Sequence, residues 1–72
     1  SNLFELYPNP SSGNLFINID GKFNIIVYDV VGKIIVNTEK NKIDLTNEKN
    51  GIYFVEIIKE NKRELHKLIL NK

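Results

Sequence analysis

The sequence predicts an all-β fold, an immunoglobulin-like antiparallel β-sandwich of about seven short strands. Three observations carry that expectation. Apolar residues recur at every second position in one segment after another, as in Leu15, Ile17 and Ile19, which is the period of a half-buried strand. Turn residues separate these segments at short, even spacing, the pattern of a sandwich or small barrel. The composition also disfavours helix: alanine, methionine and glutamine are absent while isoleucine and asparagine each occur 11 times. Ala and Met are among the best helix formers, whereas Ile, Val, Tyr and Phe suit a pleated surface.

Taken in order, the first strand is expected over Phe4 to Tyr7, ending at the corner Pro8-Asn9-Pro10. Proline fixes φ and lacks an amide donor, so the ladder must stop there. Asn14 to Ile19 alternates cleanly, with Leu15, Ile17 and Ile19 on one face and Phe16, Asn18 and Asp20 on the other. Asp20-Gly21 is a hairpin signal, and Phe23 to Val30 follows with Phe23, Ile25 and Val27 sharing a face. Gly32-Lys33 makes the next turn, before a short strand from Ile34 to Asn37 whose inward residue is Ile35.

Thr38 to Asn41 reads as a loop, and Lys42 to Leu45 offers Ile43 and Leu45 to the core. Thr46 to Gly51 is a longer polar corner. Tyr53, Val55 and Ile57 then line one side of a strand whose other side shows Ile52, Phe54, Glu56 and Ile58. Asn61-Lys62 turns the chain into a last strand, Glu64 to Leu70. Two apolar sets of opposite phase compete there, Leu68 and Leu70 with His66 against Leu65 and Ile69, and a bulge near His66 would reconcile them.

A chain of 72 residues forms at most one domain and buries only about 60% of its unfolded surface. With no cysteine, neither a disulfide nor a thiolate metal site can reinforce that thin core. Stability must come from aliphatic packing. The net charge is +1 and the lysines are dispersed, so no nucleic-acid footprint is visible. No apolar run is long enough for a transmembrane segment, and no basic-then-apolar leader stands at the start. Ser1-Asn2 reads as the remnant of a cleaved tag, and the chain as a piece of something longer.

Few residues suggest chemistry. Leu45, Gly51, Tyr53 and Val55 have the spacing of a tyrosine corner, in which the hydroxyl returns to backbone a few residues upstream. His66 is the only histidine, and with no cysteine it has little company for a transition metal. Asp20, Asp29 and Asp44 read as turn residues, since no Asp-x-Asp run prepares a calcium loop. All glycines are isolated, so no phosphate or dinucleotide fingerprint and no nucleophile elbow occurs. No catalytic group, metal or cofactor is expected. Phe4, Phe16, Tyr28 and Phe54 fall on outward or edge positions, where they either bind a glycan or protein or cover the rim of the core.

The order of motifs along the chain resembles the C-terminal sorting domain of the type IX secretion system, the Por secretion family. Leu6-Tyr7-Pro8-Asn9-Pro10-Ser11-Ser12-Gly13 looks like that family's P-N-P-x-x-G opening. Val27-Tyr28-Asp29-Val30-Val31-Gly32-Lys33 is similar to its central strand and turn, and Ile43-Asp44-Leu45 before Gly51-Ile52-Tyr53-Phe54-Val55 to its G-x-Y strand. Lys67-Leu68-Ile69-Leu70-Asn71-Lys72 resembles its basic and apolar terminal strand, here more apolar than many and interrupted by Asn71.

The resemblance implies a non-catalytic secretion signal, residues 3–72, carried at the C-terminus of a larger cargo protein. A signal peptide takes such a protein to the periplasm, an outer-membrane type IX translocon recognises the folded sandwich, and in many members a sortase-like peptidase removes it at the cell surface. The recognition residues it implies are Pro8, Asn9, Pro10, Gly13, Gly32, Gly51, Tyr53, Lys67, Leu68, Leu70 and Lys72. Arg63, Lys67 and Lys72 would guard the last strand and present charge to an acidic receptor groove. The competing expectation is an immunoglobulin-like or fibronectin-like accessory module binding carbohydrate or protein. Open strand edges also allow a homodimer by strand pairing or exchange.

Overall fold

A computed structural model of the protein describes the backbone of residues 5–7 and the whole of residues 12–72. Seven strands follow one another along the chain: β1 (Glu5–Tyr7), β2 (Asn14–Asn18), β3 (Asn24–Tyr28), β4 (Ile34–Thr38), β5 (Lys42–Asp44), β6 (Gly51–Lys59) and β7 (Lys62–Leu70). They pair into a three-stranded sheet ordered β1-β2-β5 and a four-stranded sheet ordered β4-β3-β6-β7. Every pairing is antiparallel. The chain changes sheet between β2 and β3, between β4 and β5, and between β5 and β6, which makes the immunoglobulin-like sandwich the sequence predicts. Among the described residues there is no helix, and none is long and apolar enough to cross a membrane.

The core is the set of inward positions that period-two alternation picks out. Leu15, Ile17 and Ile19 come from β2 and its end, Ile25 and Val27 from β3, Ile43 and Leu45 from β5 and its end, and Tyr53, Val55 and Ile57 from β6. Leu68 and Leu70 complete it from β7. Each fully buried Ile, Leu or Val contributes roughly 1.5–3 kcal/mol relative to exposure. Phe23 packs against the cluster from the approach to β3.

Three details depart from the sequence reading. In β4 the register against β3 shifts, so that Val27 faces Val36 while Tyr28 faces Ile34. Ile35 is the inserted residue of this bulge, and both Ile35 and Val36 pack against the core, where simple alternation would admit one. The last strand, by contrast, has no bulge near His66: its register with β6 runs unbroken from Gly51 opposite Leu70 to Lys59 opposite Lys62. Leu68 and Leu70 therefore go in with the half-buried His66, and Leu65 and Ile69 go out.

The β6–β7 hairpin turns one residue earlier than the sequence suggests, at Glu60-Asn61 in place of Asn61-Lys62. Glu60 sits there with a φ of 56°, a left-handed conformation that costs a non-glycine residue about 1–2 kcal/mol. Glu60→Gly is expected to raise unfolding stability by about 0.5–1 kcal/mol, since relief of that strain exceeds the added chain entropy. Urea midpoints at an unchanged m-value would show it, and an unchanged or lower midpoint would contradict the strain.

Candidate recognition surface

The strand registers gather most of the described motif residues at one pole of the sandwich. In the three-stranded sheet, β1 ends, β2 begins and β5 ends on the same side, because Tyr7 lies opposite Phe16 and Asn14 opposite Asp44. In the four-stranded sheet, β3 ends, β6 begins and β7 ends together, with Tyr28 opposite Phe54 and Gly51 opposite Leu70. The loop 45–50 joins the two sides. The opposite pole carries the turns at Asp20-Gly21, 39–41 and Glu60-Asn61, with an open recess lined by Gly21, Lys22, Phe23 and Glu39.

Loop 45–50 is held from four directions. The Leu45 amide donates to the Gly13 carbonyl at 2.6 Å, and the Glu48 amide to the Leu45 carbonyl at 3.0 Å. Asp44 caps the start of the loop: its Oδ1 accepts the Thr46 amide at 2.9 Å and the Thr46 hydroxyl at 2.6 Å. Those two bonds favour the charged carboxylate and hold the Asp44 pKa below its ordinary 3.8. Tyr53, at the start of β6, donates its hydroxyl to the Lys49 carbonyl at 2.6 Å, the tyrosine corner its spacing predicts. Its ring is 6% exposed, and burial, then the charges of Glu48 and Asp29, raise the phenol above its ordinary pKa of 10.0.

The chain end closes the same loop. Lys72 donates its amide to Asn50 Oδ1 at 2.9 Å and its ammonium to the carbonyls of Thr46, at 3.0 Å, and Glu48. Its charge is directed onto backbone oxygens of the pole. Gly13 has a φ of +127°, and a Cβ there would stand 2.8 Å from Thr46 Cγ2 and 3.0 Å from Thr46 Cα. Both conformation and space therefore demand glycine.

Gly32 sits in the β3–β4 turn at φ +88° with open space around it. Asp29 organises this turn through Oδ1, which accepts the amides of Val31 and Lys33 at 3.0 and 2.9 Å. Its tip exposes Val30 and Val31.

Gly13, Gly51, Tyr53, Leu70 and Lys72 are thus neighbours around one loop, with Gly32 in an adjacent turn. Lys67 and Leu68 lie further along β7, Leu68 fully buried and Lys67 on the outer face. Pro8, Asn9 and Pro10, like Phe4, lie outside the described residues. Thr46 is marked in the sequence only as the start of a polar corner, and Asn50 only as the turn residue before Gly51 that closes it. Phe16, Tyr28 and Phe54 are half-buried. The Tyr28 hydroxyl donates to Glu56 Oε1 at 2.8 Å, which raises its pKa, while Arg63 Nη1 donates to Glu56 Oε2 at 2.9 Å. His66 pairs with Glu64 at 2.8 Å. Among the described residues, no group of three or more His, Cys, Asp or Glu could hold a metal ion.

Turns, tyrosine corner and Lys72 thus meet at one pole of the sandwich, where most of the distinctive residues are engaged in holding its shape. The family model for the secretion system C-terminal sorting domain matches residues 5–71, and the chain belongs to that family, the sorting domains of type IX secretion. A search of curated proteins finds no match to the chain. The family is one of sorting signals rather than catalysts, and its members direct export across the outer membrane.

Two expectations follow for the pole. Gly13→Ala should destabilise by about 2–4 kcal/mol through combined strain and overlap. Gly32→Ala, with open space, should cost about 1–2 kcal/mol. Equal losses in urea titrations would refute the close approach to Thr46. For Asp44, the depressed folded pKa means its contribution is present above the unfolded value and is lost as pH falls through the folded one. Asp44→Ala should therefore flatten the acid limb of stability below about pH 4, as read from urea midpoints at stepped pH.

Proposed function

We propose that this chain is the C-terminal sorting signal of a larger exported protein, and that the motif pole together with β7 forms the surface the type IX machinery reads. Family membership across residues 5–71 is the observation that carries this reading. The convergence of Gly13, Gly51, Tyr53, Leu70 and Lys72 around loop 45–50 supports it.

In this reading residues 3–72 are the sorting domain, Ser1-Asn2 a tag remnant, and the cargo precedes them. The domain itself performs no chemistry. It passes through the periplasm attached to its cargo, meets an outer-membrane translocon as a folded sandwich, and is removed by a sortase-like peptidase as the cargo reaches the surface or medium. Pro8, Asn9 and Pro10 belong to this reading as the opening motif, and Lys67, Leu68 and Leu70 would define the strand presented beside the pole.

The test fuses this domain to a periplasmic reporter in a bacterium that has type IX secretion. The reporter is expected at the surface or in the medium with the domain and in the periplasm without it. A reporter retained in both cases overturns the proposal. Truncating Leu68 to Lys72 is a poor substitute, because Leu68 and Leu70 are 0% and 1% exposed and their loss removes core.

A further inference from the structure

The turn between β3 and β4 holds large apolar side chains out in solvent. Val30 is 67% and Val31 83% exposed at its tip, and Ile34, where β4 begins, is 52% exposed. Contiguous exposed apolar surface marks a contact site, and the core does not account for this one. Phe23, Ile35 and Val36 pack against the buried cluster, while the three residues of the tip lie outside it.

The backbone beneath them is closed on itself. The Asp29 amide donates to the Lys33 carbonyl at 3.0 Å, and the Gly32 amide to the Asp29 carbonyl at 3.1 Å. Asp29 Oδ1 accepts the amides of Val31 and Lys33. Four amides of the turn are therefore satisfied without water, and the one carboxylate of residues 29–34 is turned to that task. Backbone can enter an apolar medium only when its polar groups have internal partners, and this tip meets that condition. Its valines have few rotamers to lose on burial. Lys33, exposed on the same turn, has an aliphatic stem that lets its ammonium reach a polar boundary from beside buried apolar groups. With nothing within 4 Å of where a Gly32 Cβ would stand, the turn offers a projecting point and not a groove.

We propose that the β3–β4 turn is a lipid-contact site, at which Val30 and Val31 enter the interfacial layer of an anionic phospholipid bilayer while Lys33 pairs with a lipid phosphate. Two valines and one cation give weak, reversible attachment, whose strength combines buried apolar area with attraction to anionic headgroups. Because β3 ends at the motif pole, attachment turns that pole toward the membrane. The inference goes beyond the sorting reading and does not depend on it.

The experiment mixes the chain with vesicles of phosphatidylcholine alone, or of phosphatidylcholine and phosphatidylglycerol in equal parts, and measures the bound fraction by sedimentation. The anionic vesicles should bind the chain several-fold more strongly at low salt, with the excess fading as salt is added. In ¹⁵N spectra, spin-labelled lipid should broaden the amides of residues 30–33 before any others. Replacing both valines, Val30→Asn with Val31→Asn, should lower partitioning at least tenfold, and Lys33→Glu should lower it several-fold on the anionic vesicles alone. Thermal melting checks that both variants fold; if the valine variant does not, the broadening pattern of the parent chain decides. No binding to either vesicle, equal binding to both, partitioning untouched by the valine pair, or broadening centred on another element would each overturn the inference. A tip built for the apolar groove of a protein gives the first of these results. Vesicles hold no secretion machinery, so a fusion that is not exported counts against the sorting reading alone.

Discussion

The close approach of Gly13 to Thr46 is the constraint on which the motif-bearing pole depends. A chain this short buries too little surface to hold its ends by core depth alone, so the loop that follows β5 is pinned there to the start of β2 through main-chain groups. Leu45 can reach the Gly13 carbonyl at 2.6 Å only because residue 13 has no Cβ to meet Thr46. With Thr46 set, Asp44 caps it, the Lys49 carbonyl falls within reach of the Tyr53 hydroxyl, and the Thr46 and Glu48 carbonyls turn toward Lys72. One glycine near the start of the chain thereby positions acceptors for the last residue.

The inner faces were legible because a period of two is a local signal: Leu15 and Ile17 are bracketed by Asn14 and Asn18, and Ile25 with Val27, and Tyr53 with Val55 and Ile57, keep the same spacing even where, as at Val27 and Tyr53, both neighbours are apolar or aromatic. The bulge at Ile35 was not, because it is defined by a partner strand, and the run Ile34-Ile35-Val36 is apolar whichever way it faces. In β7 the two apolar phases were visible, but the assumption that both must be buried invited a bulge. The straight register instead leaves Leu65 and Ile69 outside. Glycine spacing marked the corners, yet their meeting around loop 45–50 depends on contacts between distant parts of the chain, which periodicity does not encode.

Sequence alone groups Arg63, Lys67 and Lys72 as one basic cluster. The structure separates their tasks. Arg63 shares Glu56 with Tyr28 on the outer face, an exposed pair that contributes little to stability. Lys72 is committed to the carbonyls of the pole. Lys67 stands midway along β7, opposite Phe54. Positive charge near the chain end therefore stands in two settings, Lys72 on the carbonyls of the pole and Lys67 on the outer face of β7.

That division bears on how a secretion apparatus could tell a folded signal from an unfolded one. The residues of β7 are present in either state, but only the folded chain offers them as a straight strand, paired with β6 along its length and tied at its end to Asn50, Thr46 and Glu48. A segment docking on an unfolded chain must order both partners, at about 1–2 kcal/mol of backbone entropy per residue. Over even three or four residues that amounts to several powers of ten in affinity. On the proposed reading, a β7 held by the core and the pole would make recognition conditional on folding, because Leu68 and Leu70 shape that strand from the side that faces the core.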